Sequence, residues 1–214
     1  VDLMEHVGMA VYGKTRIARR NSRSPKEIVI IGAGFLGSSI AMNVARHKHV
    51  HVTVVDCSDE SETGKATSAS WAWINANRKR PPSYQQLNCL GIHAWHTDPV
   101  LRGLPTWNGS LVRYENALES DELATSGHYA HPVGPLTPLQ CRRLEPAISF
   151  ASSAPPVYSF PNEGCVDPCQ AVLTMRQFAK ERGASFLWYK NVTGLLCETA
   201  STATQAVVHD LLLD

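Results

Sequence analysis

One stretch of the chain has residue types that can grip phosphates. Residues 28–37 read Ile-Val-Ile-Ile-Gly-Ala-Gly-Phe-Leu-Gly, a β-branched run leading straight into G-x-G-x-x-G. Gly32 allows a sharp turn out of a strand. Gly34 lacks a Cβ, so a pyrophosphate can approach the main chain there. Gly37 lets the following helix pack close to the sheet. That helix would aim unpaired N–H groups and the positive end of its dipole at the phosphates. A second apolar run, Val52-Thr53-Val54-Val55, ends on Asp56. A carboxylate at that tip can accept hydrogen bonds from ribose hydroxyls, and it repels a 2′-phosphate. The chemistry indicated is the binding of an adenine dinucleotide.

A second stretch, Ala66-Thr67-Ser68-Ala69-Ser70-Trp71-Ala72-Trp73-Ile74-Asn75-Ala76-Asn77, follows downstream. Small hydroxyl residues hydrogen-bond a polar cofactor tail without crowding it. The indoles of Trp71 and Trp73 suit an aromatic ring system, and they suit an ordinary core equally well. No residue stands out as an acid or base catalyst. His47, His49 and His51 alternate across the end of a helix and the start of a strand, so they share no ligand geometry and no metal site is expected. His93 and His96 read as an exposed helix edge, and Arg78-Lys79-Arg80 as a solvated turn.

The elements that must position these residues begin with a βαβ unit over residues 25–56. Its first strand is β-branched enough to be covered on both faces. In its helix Leu36, Ile40 and Val44 share an apolar face beside Ala41 and Ala45, and Arg46, His47 and Lys48 follow at its negative end. A polar loop then leads to Pro81-Pro82 and a helix with Ser83 as N-cap and an apolar face of Tyr84, Leu87, Leu90 and Ala94. Strands are expected at 109–114 and 157–160, with a short helix opened by Thr137-Pro138 between them. Asp167 and Pro168 open another helix, whose buried face holds Ala171, Val172, Met175, Phe178 and Ala179, and Gly183 ends it. Strands follow at 186–189 and 195–196, and an apolar segment at 206–213. The fold class is α/β: a Rossmann-like domain with a parallel sheet, plus an inserted α+β substrate or cap region. Residues 1–24 read as a flexible arm, 25–79 and 163–214 as the nucleotide-binding domain, and 80–162 as the insertion.

The 214 residues carry a formal net charge of +1, with 18% charged side chains. That balance offers no basic field for nucleic acid, and no apolar run reaches the ~20 residues a membrane span needs. Six cysteines lack the paired spacing of a zinc site and read as reduced, mostly buried thiols in a cytoplasmic protein. The basic, acid-poor run at 13–26 leaves organelle targeting as the alternative.

Four features together resemble the FAD-dependent amine and amino-acid oxidoreductases, the group of D-amino acid oxidase, glycine oxidase and sarcosine oxidase. They are Ile30-Ile31-Gly32-Ala33-Gly34-Phe35-Leu36-Gly37, Val54-Val55-Asp56, the 66–77 segment, and Glu163-Gly164-Cys165-Val166-Asp167-Pro168 with its helix, Gly183-Ala184, a strand and Val192. The resemblance spans about residues 26–200. It implies FAD as cofactor and a small amine or amino acid as substrate, oxidised at its C–N bond by hydride transfer to the flavin. It places Gly32, Gly34, Phe35, Leu36 and Gly37 around the pyrophosphate and Asp56, with its neighbour Cys57, at the adenosine ribose. Thr67 and Ser68 would reach the phosphates or ribityl chain, Ala72 and Trp73 the flavin ring, and the Val192 main chain the adenine. Members of the family continue well past this point, so the chain is expected to be incomplete at its carboxyl end. The alternatives are a non-catalytic or partner-dependent dinucleotide-binding fragment and, less in keeping with the 66–77 segment, an NAD-dependent dehydrogenase.

Overall fold

The structure is a computed structural model. It describes residues 25–115, 128–149, 155–199 and 206–213, with backbone alone for 195–199 and 206–213. The readings of residues 1–24 as an arm or a targeting segment lie outside the described residues.

A parallel sheet has the order β1 (Lys26–Ile31), β2 (Val50–Val55), β8 (Ser185–Leu187). β1 pairs with β2 in register from Lys26↔Val50 to Ile31↔Val55, and β2 pairs with β8 from Thr53↔Ser185 to Val55↔Leu187. Two helices flank it, α1 (Phe35–Val44) and α5 (Pro168–Glu181). Ile30, Ala41, Ala45, Val52, Val54, Ala179 and Ala184 form the core between sheet and helices. α1 packs through its small residues. Gly37, Ser38, Ala41 and Met42 are buried, whereas Leu36 is 78% exposed and Ile40 is exposed too. The expected apolar face of Leu36, Ile40 and Val44 is therefore turned by a third of a helix turn or so. A Cβ on Gly37 would lie 1.8 Å from the Gly32 carbonyl oxygen, an approach that admits no side chain at that position. β1 is an edge strand whose Val29 and Ile31 are exposed. The expectation of cover on both faces is corrected: among the described residues only the Ile30 side is buried.

The two-residue strand β3 (Trp73–Ile74) pairs with β7 (Gly164–Cys165), and α3 (Pro82–Thr97) follows it. The N-cap of α3 is Pro81, not Ser83, because Pro82 already occupies the first turn. His93 and His96 are not an exposed edge. His96 stacks on Trp107 with ring centroids 3.8 Å apart and on Tyr129 at 5.5 Å, and His93 Nδ1 lies 3.0 Å from the Tyr129 hydroxyl. Burial first, and the nearby His93 second, hold the His96 pKa below its ordinary value. Arg46 reaches across to Asp98 at 2.7 Å instead of capping α1.

An antiparallel sheet has the order β4 (Ser110–Arg113), β6 (Val157–Phe160), β5 (Val133–Leu136). The helix α4 (Pro138–Leu144) starts with the expected Thr137 cap, closed by Gln140 into a capping box. Asp167 Oδ1 likewise accepts from the N–H groups of Cys169 and Gln170 at the start of α5. The strand expected at 186–189 stops at Leu187, and β9 (Val192–Thr199) forms an antiparallel hairpin with β10 (Ala206–Leu213). The described cysteines Cys57, Cys89, Cys141, Cys165 and Cys169 are free, but only Cys141 is buried, which corrects the expectation of mostly buried thiols. No helix among the described residues is long and apolar enough to cross a membrane.

Glu163 ties these parts together. It is 0% exposed, and its carboxylate is filled with donors. Oε1 accepts from the N–H groups of Ala76 and Asn77 at 3.0 Å each and from Asn77 Nδ2 at 2.8 Å. Oε2 accepts from Asn77 Nδ2 at 2.8 Å and from Ser110 Oγ at 2.7 Å. The chain after β3, the start of β4 and the turn before β7 thus meet at one side chain. Glu163→Ala leaves two main-chain donors and an amide buried without acceptors and is expected to cost about 3 kcal/mol or more. Glu163→Gln keeps the shape and one acceptor and should cost less than half of that. Urea denaturation of the three proteins checks the order, and equal losses would contradict it.

Candidate functional site: a loop cradle beside an aromatic cleft

The turn between β1 and α1 has the geometry its glycines anticipate. Gly32 has φ +96°, and its N–H donates to the Val55 carbonyl at 2.8 Å. A Cβ on Gly34 would come into ordinary contact with Thr67 Oγ1 at 3.8 Å and the Thr63 carbonyl oxygen at 3.9 Å, so Gly34 lies close against the 63–67 loop. Gly34 is also the N-cap of α1 and has no side chain to satisfy the first helical N–H groups. Those groups and the helix dipole make a site for an anion.

The neighbouring loops are bonded to this turn. Asp56 Oδ2 accepts from the Ala33 N–H at 2.5 Å, while Oδ1 accepts from the Ser58 N–H at 2.8 Å and the Ser58 hydroxyl at 2.5 Å. Partial burial pushes the Asp56 carboxyl up, but these hydrogen bonds and the charge of Arg176 outweigh it and hold its pKa below the ordinary 3.8. Thr67 lies in the short helix α2 (Lys65–Ser68), and its Oγ1 accepts from the Phe35 N–H at 3.3 Å. Gly64, with φ +93°, lets the chain turn into α2 close to Gly34.

Beside the turn runs a cleft of about 770 Å3, lined by Phe35, Thr67, Ala72, Trp73, Leu87 and Trp95 among others. That is within the range of small-molecule sites, about 300–1,000 Å3. Phe35 and Thr67 belong to both turn and cleft, so the two are continuous. Its lining mixes the hydroxyls of Ser39, Thr67 and Ser70 and the amides of Asn75 and Asn88 with apolar and aromatic groups. Trp71 is 85% exposed and meets Trp73 edge to face at 6.4 Å. The core reading of Trp71 is thereby excluded.

Of the residues singled out in the sequence, Gly32, Gly34, Phe35, Leu36, Gly37, Asp56 and Thr67 come together at the turn, and Ala72 and Trp73 line the cleft. Ser68 is exposed and turns its hydroxyl back to the Lys65 carbonyl at 3.1 Å. Cys57 is exposed. Val192 lies in the hairpin opposite Leu213, although the Lys190 N–H donates to the Asp56 carbonyl at 3.0 Å and brings that segment beside β2. Sequence reasoning missed Ser38 and Arg176, which both donate to the Ala33 carbonyl. A signal was present: Arg176 falls four residues after Val172 on the apolar stripe of its helix.

Fold and site together define an α/β protein that binds a dinucleotide at a glycine-rich strand-to-helix turn. A sequence model of the family "FAD dependent oxidoreductase" (DAO) matches residues 27–210, and the chain belongs to that family, whose cofactor is FAD. Solved structures agree on the fold. L-proline dehydrogenase from P. horikoshii is 22% identical with a TM-score of 0.65, covering 82% of this chain and 47% of its own. Glycine oxidase from Bacillus cereus is 20% identical with a TM-score of 0.61, covering 88% of this chain and 54% of its own. Fructosyl amine:oxygen oxidoreductase from Aspergillus fumigatus is 20% identical with a TM-score of 0.63, covering 90% of this chain and 47% of its own. The chain thus spans about half the length of these structures. No curated protein matches it by sequence.

The residues present fit FAD. The start of α1, whose N-cap residue Gly34 offers no capping side chain, suits a diphosphate, and the aromatic cleft suits a flat ring. Gly37→Ala would force its methyl into the Gly32 carbonyl and is expected to cost at least ~1–3 kcal/mol while disordering the turn. A thermal melt and an FAD titration check both effects, and a stable variant with native affinity would be the contrary result. Asp56 adds a pH signature. Its lowered folded pKa means that its contribution to stability is complete above about 4 and disappears as pH falls through the folded value. The stability difference between wild type and Asp56→Asn should therefore shrink on acidification below that point. A difference that stays constant down to pH ~2 would count against it.

Proposed function

We propose that this chain holds FAD across the glycine turn and the adjoining cleft, and that it serves the oxidation of a small amine or amino acid at its C–N bond. The observation that carries this is the continuity of cradle and cleft through Phe35 and Thr67. The family is FAD-dependent, and the names of the similar structures carry proline, glycine and a fructosyl amine, all of them amines.

In this reading the main chain of Gly32, Gly34, Phe35, Leu36 and Gly37 faces the diphosphate. Asp56 takes the ribose. A carboxylate has about four acceptor positions, and its Oδ2 has one donor in the structure, which leaves room for a hydroxyl. Cys57 continues that edge, Thr67 and Ser68 serve the phosphate and ribityl chain, Ala72 and Trp73 flank the ring, and Val192 serves the adenine. Residues 25–79 and 163–214 form the cofactor-binding part and 80–162 the substrate side. FAD held there would supply a two-electron acceptor: the carbon next to the amine would give up a hydride and the amine nitrogen a proton, leaving an imine. The protein orients both partners and keeps water from the ring.

A second reading makes the chain a dinucleotide-binding unit that oxidises nothing until further polypeptide covers it. Exposed Val29, Ile31, Leu36 and Ile40 around the cradle favour it. One set of measurements separates the two. Titrated with FAD, the chain should acquire the absorption of a bound oxidised flavin near ~450 nm. Asp56→Ala should weaken FAD about tenfold, ~1.4 kcal/mol, and weaken FMN, which has no adenosine ribose, by less. Anaerobic bleaching by an amine or amino acid supports the enzyme, and FAD binding without bleaching supports the second reading. A chain that takes up no flavin would sink both.

A further inference from the structure

Arg176 is 3% exposed, yet it lies on the face of α5 that otherwise holds Ala171, Val172, Met175 and Ala179. Its guanidinium donates mainly to main-chain carbonyls, with a longer bond from Nε to the Ser38 hydroxyl at 3.4 Å, and lies 4.9 Å from the centre of the Trp188 ring. Nε and Nη2 reach the Ala33 carbonyl at 3.0 and 2.6 Å, Nη1 the Glu60 carbonyl at 2.9 Å, and Nη2 the Glu62 carbonyl at 2.8 Å. Among the described residues no carboxylate stands within ion-pair distance of it. Burying a charge without an ion-pair partner is costly, and an apolar side chain would fill this face more cheaply.

What the arginine holds explains its presence. The Ala33 carbonyl receives three donors, because the Ser38 hydroxyl adds a bond of 2.7 Å. The Ala33 N–H is held in turn by Asp56. The Ala33–Gly34 bond is not among the cis peptides, so its C=O and N–H point in opposite directions. With the carbonyl drawn to Arg176, the Gly34 N–H must face away from α5. It has no acceptor among the described residues. The same guanidinium fixes the carbonyls of residues 60 and 62, from which the chain runs on to Gly64 and Thr67. Both walls of the cradle are set from one buried cation.

We propose that Arg176 is the positioning residue of the diphosphate site: through the Ala33 carbonyl it aims the Gly34 N–H at the cofactor's diphosphate, and it supplies a buried positive charge behind that anion. This rests on the FAD reading above. Ser38 is its auxiliary on the same carbonyl.

The test compares three probes, FAD, ADP and adenosine, on wild type, Arg176→Lys, Arg176→Met and Ser38→Ala, by calorimetric titration alongside thermal melts. ADP carries the diphosphate and adenosine does not, so their ratio of affinities reads the phosphate site apart from general stability. Arg176→Met should weaken FAD and ADP at least tenfold and adenosine less than threefold. Arg176→Lys keeps the charge but not the four-way bonding and should recover part of the loss. Ser38→Ala should weaken ADP two- to fivefold. A folded Arg176→Met with the wild-type ADP-to-adenosine ratio overturns the proposal, leaving the arginine a strut. Should that variant not fold, unchanged ratios in both Arg176→Lys and Ser38→Ala overturn it as well. Wild type that binds neither FAD nor ADP defeats the cofactor reading and this proposal together, whereas binding by wild type with unchanged variants defeats this proposal alone.

Discussion

The carbonyl of Gly32 occupies the place where a side chain on Gly37 would have to be. That contact presses the first turn of α1 against the end of β1, and much of the nucleotide-binding half follows from it. The helix can come so close only by lining its inner side with Gly37, Ser38, Ala41 and Ala45. Of its larger side chains Met42 is buried, while Leu36 and Ile40 face away from the core. In return the start of the helix is fixed relative to the strand, and with it the direction of its first N–H groups.

Close packing alone would leave the turn free to rock about its glycines. Polar contacts from three separate segments remove that freedom. Asp56 holds the Ala33 N–H, Arg176 and Ser38 hold the Ala33 carbonyl, and Thr67 holds the Phe35 N–H. The short aspartate side chain suits its place, since its carboxylate contacts the turn at 2.5 Å while its other oxygen organises Ser58. A longer glutamate there would have to fold back to make the same bond. An anion site built from main-chain amides works when those amides do not have to reorganise on binding. These side chains supply that rigidity in advance.

Much of this was legible in the sequence, for reasons that differ by residue. The glycine turn, Asp56 at its strand tip and the Asp167 and Thr137 caps depend on local backbone chemistry, and local chemistry is written in neighbouring residues. The face of α1 was misread because hydrophobic periodicity reports where large apolar groups lie, not how near another element must come. Ser83 lost its capping role to the geometry that Pro82 imposes one position earlier. His93 and His96 looked exposed because Tyr129 and Trp107, which stack on them, are distant in sequence. Arg176 and Glu163 make their decisive contacts over 143 and 86 or 87 residues, and no window of sequence contains both ends. Only a charge on an apolar stripe, or an acid just before Gly164, betrays such a residue.

The two buried charged side chains divide the molecule's work between them. Arg176 binds the glycine turn to the loop after β2, and so stiffens the cradle. Glu163 binds the segment after Trp73 and Ile74 to the antiparallel sheet through Ser110, and so fixes the wall of the cleft to the 80–162 region. Each uses neutral donors or acceptors from main chain and side chain, not an opposite charge, so each is satisfied only when its loops adopt one arrangement. The remaining wall of the cleft is different. Tyr84 and Leu87 on α3 are exposed, with Lys79 over the Tyr84 ring, and among the described residues no buried charge like Arg176 or Glu163 bonds to that part of the wall. The cleft thus has one wall braced by buried polar contacts and one whose side chains stand free to adjust.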